Sequence, residues 1–316
     1  MKRDILAAVA DGAMTTHPSR PAGRGSKRRR DTLEFGVKLL FLLCGCVAVG
    51  CVLFICIYLI VAGLPAVLEI GITDFLFGTE WAGKQGQFGI LPFILTSVAG
   101  TAGAVLVGVP VGILTAMFLA KVAPPKAARV IRTAVELLAG IPSVVYGFFG
   151  LVAVVPLVRD VFDLPVGETA LAGSLILAIM ALPTIITVAE DTIRTTPRAM
   201  RESSLALGAT HWQTIRRVVL PYSASGIAAA AVLGIGRAVG ETMAVLMVTG
   251  NAAVVPHSLL EPVRTIPATI AAELGEAPAG GAHYEALFML GCILFLLTLL
   301  LSIAVEMISA RRPKTM

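Results

Sequence analysis

Glu202-Ser203-Ser204-Leu205-Ala206-Leu207-Gly208, followed after nine residues by Val218-Val219-Leu220-Pro221, is the stretch that decides how this chain is read. It lies between two very apolar runs, and its spacing predicts a helix, a turn and a second helix. Thr196 is expected to cap the first helix, with Pro197 at the first helical position, where its missing N–H costs nothing. Met200, Ser203, Ser204 and Leu207 recur at helical spacing and share one face. Gly208 suits the left-handed turn that ends a helix. Thr210-His211-Trp212-Gln213 has the form of a capping box that opens the second helix. Glu202 stands one turn from Arg198 and is placed to pair with it. A short projecting helix with a face of small residues can lie in a groove on a soluble partner. The plainer alternative is a solvated basic loop.

The surroundings of this loop are membranous. The chain is 57% hydrophobic and only 14% charged, where soluble domains carry about a quarter of charged residues. Six runs are long and nearly free of charge, roughly 39–62, 91–120, 137–158, 169–189, 218–249 and 286–305. Each is long enough to cross a bilayer, and lipid offers no partner for backbone polar groups, so each is predicted to be helical. The alternating ten-residue pattern of a membrane barrel is not seen. The expected fold is an all-α polytopic membrane protein with six transmembrane helices.

Placed on this scheme, the net charge of +5 is not a nucleic-acid signal. Nine Lys and Arg precede the first span, four lie in 121–136, five in 190–217 and three at the C-terminus; the alternate loops hold only Lys84, Arg159 and Arg264. That asymmetry places both termini, and the 190–217 loop, in the cytoplasm. The expected organisation is a basic, disordered tail over 1–34 with the run Lys27-Arg28-Arg29-Arg30, a first span and outer loop over 35–90, a transmembrane core over 91–306 that includes the loop near 196–221, and a short tail over 307–316. Residues 5–10 are too short an apolar run for a cleaved leader, so none is expected. Gly78, Gly83, Gly86 and Gly89 predict an irregular outer loop.

Prolines at 110, 142, 156 and 183 predict kinks in spans two to four, which leave room for a central path or a hinge. Gly108-x-x-x-Gly112 and Gly236-x-x-x-Gly240 allow close helix approach, to a neighbouring span or a second subunit. Gly78-Thr79-Glu80-Trp81-Ala82-Gly83-Lys84 nearly matches a phosphate-binding loop, but Gln85 stands where a Mg²⁺-binding hydroxyl is needed and no apolar strand precedes it. Gly234-x-Gly236-x-x-x-Gly240 has the wrong last spacing for a dinucleotide fingerprint. Four of the five cysteines fall in the first span without a C-x-x-C pair and the four histidines are scattered, so no metal site is expected.

Arg237 and Glu241 are the only charges between Arg217 and Glu261. Left in lipid, each costs about 2.5–3.5 kcal/mol on insertion scales. They stand four residues apart, where they can share a helix face and pair. Either they only orient the span, or they line a polar path, in which the planar guanidinium fork suits a tetrahedral oxyanion.

The register of the opening stretch resembles the coupling loop of ABC importer permeases, written E-A-A-x-x-x-G, nine residues, I-x-L-P, with Ser203 and Ser204 for the alanines and Val218 for the isoleucine. The resemblance implies that Glu202, Ser203, Ser204, Leu207, Gly208 and Ala209 contact a separate ATPase. Gly236-Arg237-Ala238-Val239-Gly240-Glu241-Thr242-Met243-Ala244-Val245, Ala139-Gly140-Ile141-Pro142-Ser143-Val144-Val145-Tyr146-Gly147 and Thr265-Ile266-Pro267-Ala268-Thr269-Ile270-Ala271 are similar to the permeases of high-affinity phosphate ABC importers, the PstC branch more than the sister PstA branch. The similarity covers roughly residues 35–310. It implies a MetI-like, type I importer core in a bacterial cytoplasmic membrane. The implied partners are a PstA-like second permease, a PstB-like ATPase dimer that holds ATP and Mg²⁺, and a periplasmic PstS-like phosphate-binding protein. The chain itself is then not an enzyme and binds no cofactor. Phosphate rests on the resemblance alone. Sulfate or molybdate, an ion-coupled secondary anion transporter, and an assembly or sensor protein without transport are the alternatives.

Overall fold

The computed structural model describes residues 24–310. The chain divides into two compact units, one ending at Cys56 and one from Ile57 onward. The tail expected over 1–34 falls mostly outside the described residues; helix α1 (Arg24–Ile70) begins within it. In the first unit the apolar side chains of α1, Phe41 and Phe54 among them, are exposed. From residue 39 to residue 56 the helix carries no charge, and an apolar surface exposed on such a run is what a lipid-facing span requires.

The second unit is a helical bundle. After α1 come α2 (Ile72–Phe77) and a two-stranded antiparallel hairpin, β1 (Trp81–Ala82) and β2 (Gln87–Phe88). Span two is α3 (Leu91–Met117), continued by a π-helical turn over Phe118–Val122. Next are α4 (Pro125–Ala139), α5 (Ser143–Phe149), a second π-turn over Gly150–Val154, and α6 (Val155–Phe162). Span four is α7 (Ala170–Arg194). Two short helices follow, α8 (Arg198–Ala206) and α9 (His211–Thr214), then a third π-turn over Ile215–Val219 and α10 (Leu220–Tyr222). The chain ends with α11 (Ala224–Val239), α12 (Met243–Val248), α13 (Ile266–Glu273) and α14 (Ala282–Ala310).

Five of these segments are long and apolar enough to span a membrane, and the bent pair His211–Tyr222 and Ala224–Val239 makes a sixth. The six expected spans are therefore present, with two corrections. Residues 121–136, read as a loop, form most of the amphipathic helix α4, which packs Ala128 and Val135 inward. Span five, read as continuous over 218–249, is broken twice. It bends by 69° at Ser223, and it stops again over Gly240–Thr242. The second stop has a local cause: glycine holds a helix weakly, and the Glu241 carboxylate accepts the Ala244 N–H at 3.3 Å, which restarts the chain as α12. Of the prolines expected to kink spans two to four, Pro156 follows a π-turn and Pro142 stands in the break just before α5. Each π-turn is followed closely by a proline, at 124, 156 and 221. The wider turn moves the preceding carbonyl away from the ring that would otherwise strike it. Pro110 and Pro183 lie inside unbroken α3 and α7.

α7 is the axis of the bundle. Its most apolar stretch is 61% buried, against at most 33% for the other four unbroken spans. Lipid is as apolar as leucine, so spans associate by close packing rather than by hydrophobic transfer. The glycines of α3 serve that packing: a β-carbon at Gly103 would lie 2.6 Å from Ser174 Oγ, and one at Gly112 2.6 Å from Ile185 Cγ2. Gly234 brings α11 equally close to Ile185 from the other side, at 2.5 Å. Near Arg194 the core holds Met117, Leu119, Ile186, Ile193, Ile215 and Val219. At the opposite end of the bundle it holds Phe75, Phe88, Phe93, Ile266 and Leu287.

Candidate functional site

The 196–222 segment folds as a helical hairpin beyond the end of α7. Gly208 has φ +84° and ends α8, as its position predicts. Thr210 caps α9 with both bonds of the expected box: its hydroxyl accepts the Gln213 N–H at 3.2 Å, and the Gln213 side chain accepts the Thr210 N–H at 2.9 Å. The expected cap at Thr196 is not formed. Pro197 occupies the position before α8 and gives no side-chain bond, while the Thr196 hydroxyl is buried and donates to the Ile193 carbonyl at 3.0 Å. The Thr196 oxygen lies 3.2 Å from the buried Ser223 hydroxyl, and no N–H at the start of α8 reaches a capping side chain.

No residue of α8 is buried. Leu207 is 89% exposed, and Met200 and Trp212 beside it are also exposed. Glu202, Ser203 and Gly208 face solvent, and Ala209 is half-buried. Ser204 turns from the shared face toward α9, with its hydroxyl 3.0 Å from Thr214 Oγ1. The pairing of Glu202 with Arg198 is not formed; among the described residues Glu202 has no ion pair. The hairpin is thus held internally by a cap and a hydroxyl pair, while it presents an apolar tip and a free carboxylate.

A buried carboxylate stands behind the hairpin. Glu190 on α7, 3% exposed, accepts from Arg132 of α4 at 2.5 Å and lies 3.6 Å from Arg194. The bond to Glu190 raises the Arg132 pKa further above its ordinary value. Sequence reasoning passed over this pair, since its members are 58 residues apart. The one signal was a carboxylate closing an apolar run.

Arg237 and Glu241 lie near one another in sequence but are not paired. Arg237 is half-buried on α11 and points Nη1 at Thr184 Oγ1 of α7, 3.4 Å away. It lies within electrostatic range of the Tyr146 hydroxyl, which donates to the Leu138 carbonyl at 2.7 Å. Glu241 is past the end of α11, and its carboxylate accepts the Ala244 N–H in the first turn of α12 from the position before the N-cap residue Thr242. The flank of α11 beside Arg237 is uncovered: Leu233 is exposed, and a β-carbon at Gly236 would meet no atom within 4 Å. The two small-residue pairs therefore differ. Gly108 and Gly112 pack against α7 of the same chain, whereas Gly236 and Gly240 are exposed, and a β-carbon at Gly240 would meet only the Gly236 carbonyl of its own turn, 3.5 Å away.

A second carboxylate hub lies at the other end of the bundle. Glu273 accepts from Trp81 Nε1 at 2.8 Å, pairs with Arg264 at 2.5 Å and contacts His283 Nε2 at 2.8 Å. It ties the β1–β2 hairpin, α13 and the start of α14 together.

Comparison with known proteins agrees with this architecture. Residues 108–313 match the family described as binding-protein-dependent transport system inner membrane component. A probable ABC transporter permease, YqgH of Bacillus subtilis, is 35% identical over 291 residues, which cover 91% of this chain and 94% of that one. The phosphate transport system permease PstC of Mesorhizobium japonicum is 41% identical, over 72% of this chain and 75% of that one. The PstC of Xylella fastidiosa strain 9a5c is 35% identical, over 89% and 91%. Among solved structures, an inward-facing MetNI methionine ABC transporter aligns with TM-score 0.57 at 20% identity, over 71% of this chain and 96% of that one. A bacterial alginate ABC transporter aligns with TM-score 0.55 at 18% identity, over 90% and 100%. The apolar spans, the α7-centred bundle and these similarities lead to one conclusion: this multi-pass membrane protein belongs to the binding-protein-dependent transport system inner membrane component family, the permease subunits of ABC importers.

Proposed function

We propose that this chain is the permease subunit of an ATP-driven importer that carries inorganic phosphate across the bacterial cytoplasmic membrane. The observation that carries this reading is Arg237. Its guanidinium sits half-buried in an apolar bundle, without a carboxylate partner among the described residues, on a helix flank that they leave open. An uncompensated cation in such a place is costly. A passing oxyanion would relieve that cost, and the guanidinium fork would match two of its oxygens. The names of the PstC relatives supply the choice of phosphate.

In this reading the open face of α11 meets a PstA-like second permease, and the path runs between the two. The hairpin 198–222 faces the cytoplasm and docks Leu207, Met200 and the free Glu202 into a PstB-like ATPase dimer, which binds ATP and Mg²⁺. Glu202, Ser203, Ser204, Leu207, Gly208 and Ala209 form that contact. The end of the bundle built on Glu273 receives a PstS-like phosphate-binding protein. The chain contributes no catalytic group. Its part is to bind phosphate transiently near Arg237 and to change the access of that site when the ATPase moves the hairpin.

Proteoliposomes that contain the four-component complex test this directly. Uptake of radiolabelled phosphate that requires ATP inside and the binding protein outside is the expected result, with competition by unlabelled phosphate and not by sulfate or molybdate. Competition by sulfate at equal concentration would reassign the substrate. Uptake driven by a proton gradient without ATP would reassign the class.

A further inference from the structure

The hairpin leaves α7 and returns to α11 at a single point, and two buried hydroxyls meet there. Thr196 Oγ1 and Ser223 Oγ are 3.2 Å apart, in residues that are 3% and 1% exposed. Each hydroxyl has one proton. Thr196 gives its proton to the Ile193 carbonyl at 3.0 Å, so it is free to accept from Ser223. The Ser223 hydroxyl also lies 3.4 Å from the Thr192 carbonyl. One turn further, a β-carbon at Gly226 would lie 2.1 Å from Thr192 Cγ2, so the first turn of α11 lies flush on the last turn of α7. All of this surrounds the 69° bend between the hairpin and α11. A bend of that size is where a chain would flex, yet here it is closed by buried bonds on both strands that enter it.

We propose that Thr196 and Ser223 are positioning residues: their bond closes the base of the hairpin, so that a displacement imposed on α8 and α9 reaches α11 instead of being absorbed at the bend. Arg237 lies 14 residues beyond Ser223, about 21 Å along the helix. Without the closure, motion at the tip is spent on the soft backbone dihedrals near Ser223. With it, hairpin and span turn as one body about the end of α7. The inference rests on the coupling reading above.

The test is phosphate taken up per ATP hydrolysed by the reconstituted four-component complex. Ser223→Ala and Thr196→Val each delete the bond, and Thr196→Ser retains the hydroxyl. Both deletions are expected to keep the ATPase in the purified complex and to lower phosphate per ATP by about fivefold or more, the scale of one lost buried hydrogen bond. The double variant should fall no further than the worse single, since both remove the same bond. Thr196→Ser should stay near the parent. Ser223→Ala removes one oxygen and adds no volume, so it decides the matter even where Thr196→Val does not assemble. An unchanged ratio in Ser223→Ala overturns the proposal. So does a loss of yield or thermal stability with the ratio intact, or a Thr196→Ser variant that behaves like Thr196→Val. Leu207→Asp separates the two readings. If it leaves the ATPase bound and uptake intact, the coupling reading beneath has failed. If it releases the ATPase while Ser223→Ala keeps its ratio, the positioning role alone has failed.

Discussion

The Arg237 guanidinium and the Glu241 carboxylate, four residues apart, do not meet. α11 ends between them, Arg237 reaches back to Thr184 on α7, and Glu241 closes the first turn of α12. A salt bridge that would have neutralised the one cation of span five is replaced by a cap on one side and an open cation on the other. The consequences for the two residues are therefore separate.

Arg237→Gln is expected to assemble normally, because no buried carboxylate is stranded by the change. Its phosphate uptake should fall by about tenfold to a hundredfold, the scale of a lost charge-assisted hydrogen bond. Arg237→Lys keeps the charge without the fork and should recover part of the rate. The check is initial uptake in proteoliposomes, normalised to complex content. Near-parental uptake by Arg237→Gln would remove this residue from the path.

For Glu241 the expected cost is conformational. Glu241→Gln preserves an oxygen for the Ala244 N–H and should be mild, whereas Glu241→Ala should lose about 1 kcal/mol, the usual value of a cap. Thermal unfolding of the purified complex distinguishes them. Equal stability of the two variants would show that the cap is not the role of this side chain.

Gly208→Ala tests the proposed docking surface. A β-carbon there meets nothing within 4 Å inside the chain, so the internal cost is the left-handed backbone alone, about 1 kcal/mol. Membrane abundance should stay near the parent while stimulation of ATP hydrolysis by loaded binding protein is lost. Full stimulation would place the ATPase contact elsewhere.

Glu190→Gln should destabilise without touching either surface. Breaking a fully buried ion pair costs about 3–5 kcal/mol. Arg132 retains about a third of its side chain in solvent, so the expected loss is nearer 1–3 kcal/mol after screening. Arg132→Gln should cost a similar amount, and the double variant less than their sum. Additive losses in the melting of the complex would show that the two groups do not act on one another.

Sidedness follows from the charge count. Thr79→Cys and Ala279→Cys, in a background without native cysteines, should react with an impermeant maleimide added outside intact cells. His211→Cys should react only after the membrane is opened. Labelling of His211→Cys from outside would invert the topology.

Span number, the hairpin and its caps were legible in the sequence because each is local. A bilayer demands about twenty apolar residues, a left-handed turn admits glycine at Gly208, and a capping box joins residues three apart, as in Thr210 and Gln213. The exposed face of α8 was legible for the same reason, since it is made by one short helix. What was misread depended on distant partners. The Thr196 hydroxyl looked like a cap until the fold placed Ser223 beside it.

The sequence by itself determined that this chain is a six-span membrane protein with a projecting helical loop and one cation deep in its fifth span, because hydropathy and helix chemistry act within a few turns. The tertiary structure alone decided that α7 is the buried axis, that Glu190 and Glu273 gather their partners, and that Gly108 and Gly112 are used within the chain while Gly236 and Gly240 are left open. It also decided that Arg237 has no ion pair among the described residues. Helical periodicity predicts a neighbour four residues on only if the helix continues, and here the Glu241 cap ends that continuity at the point where the pair would have formed.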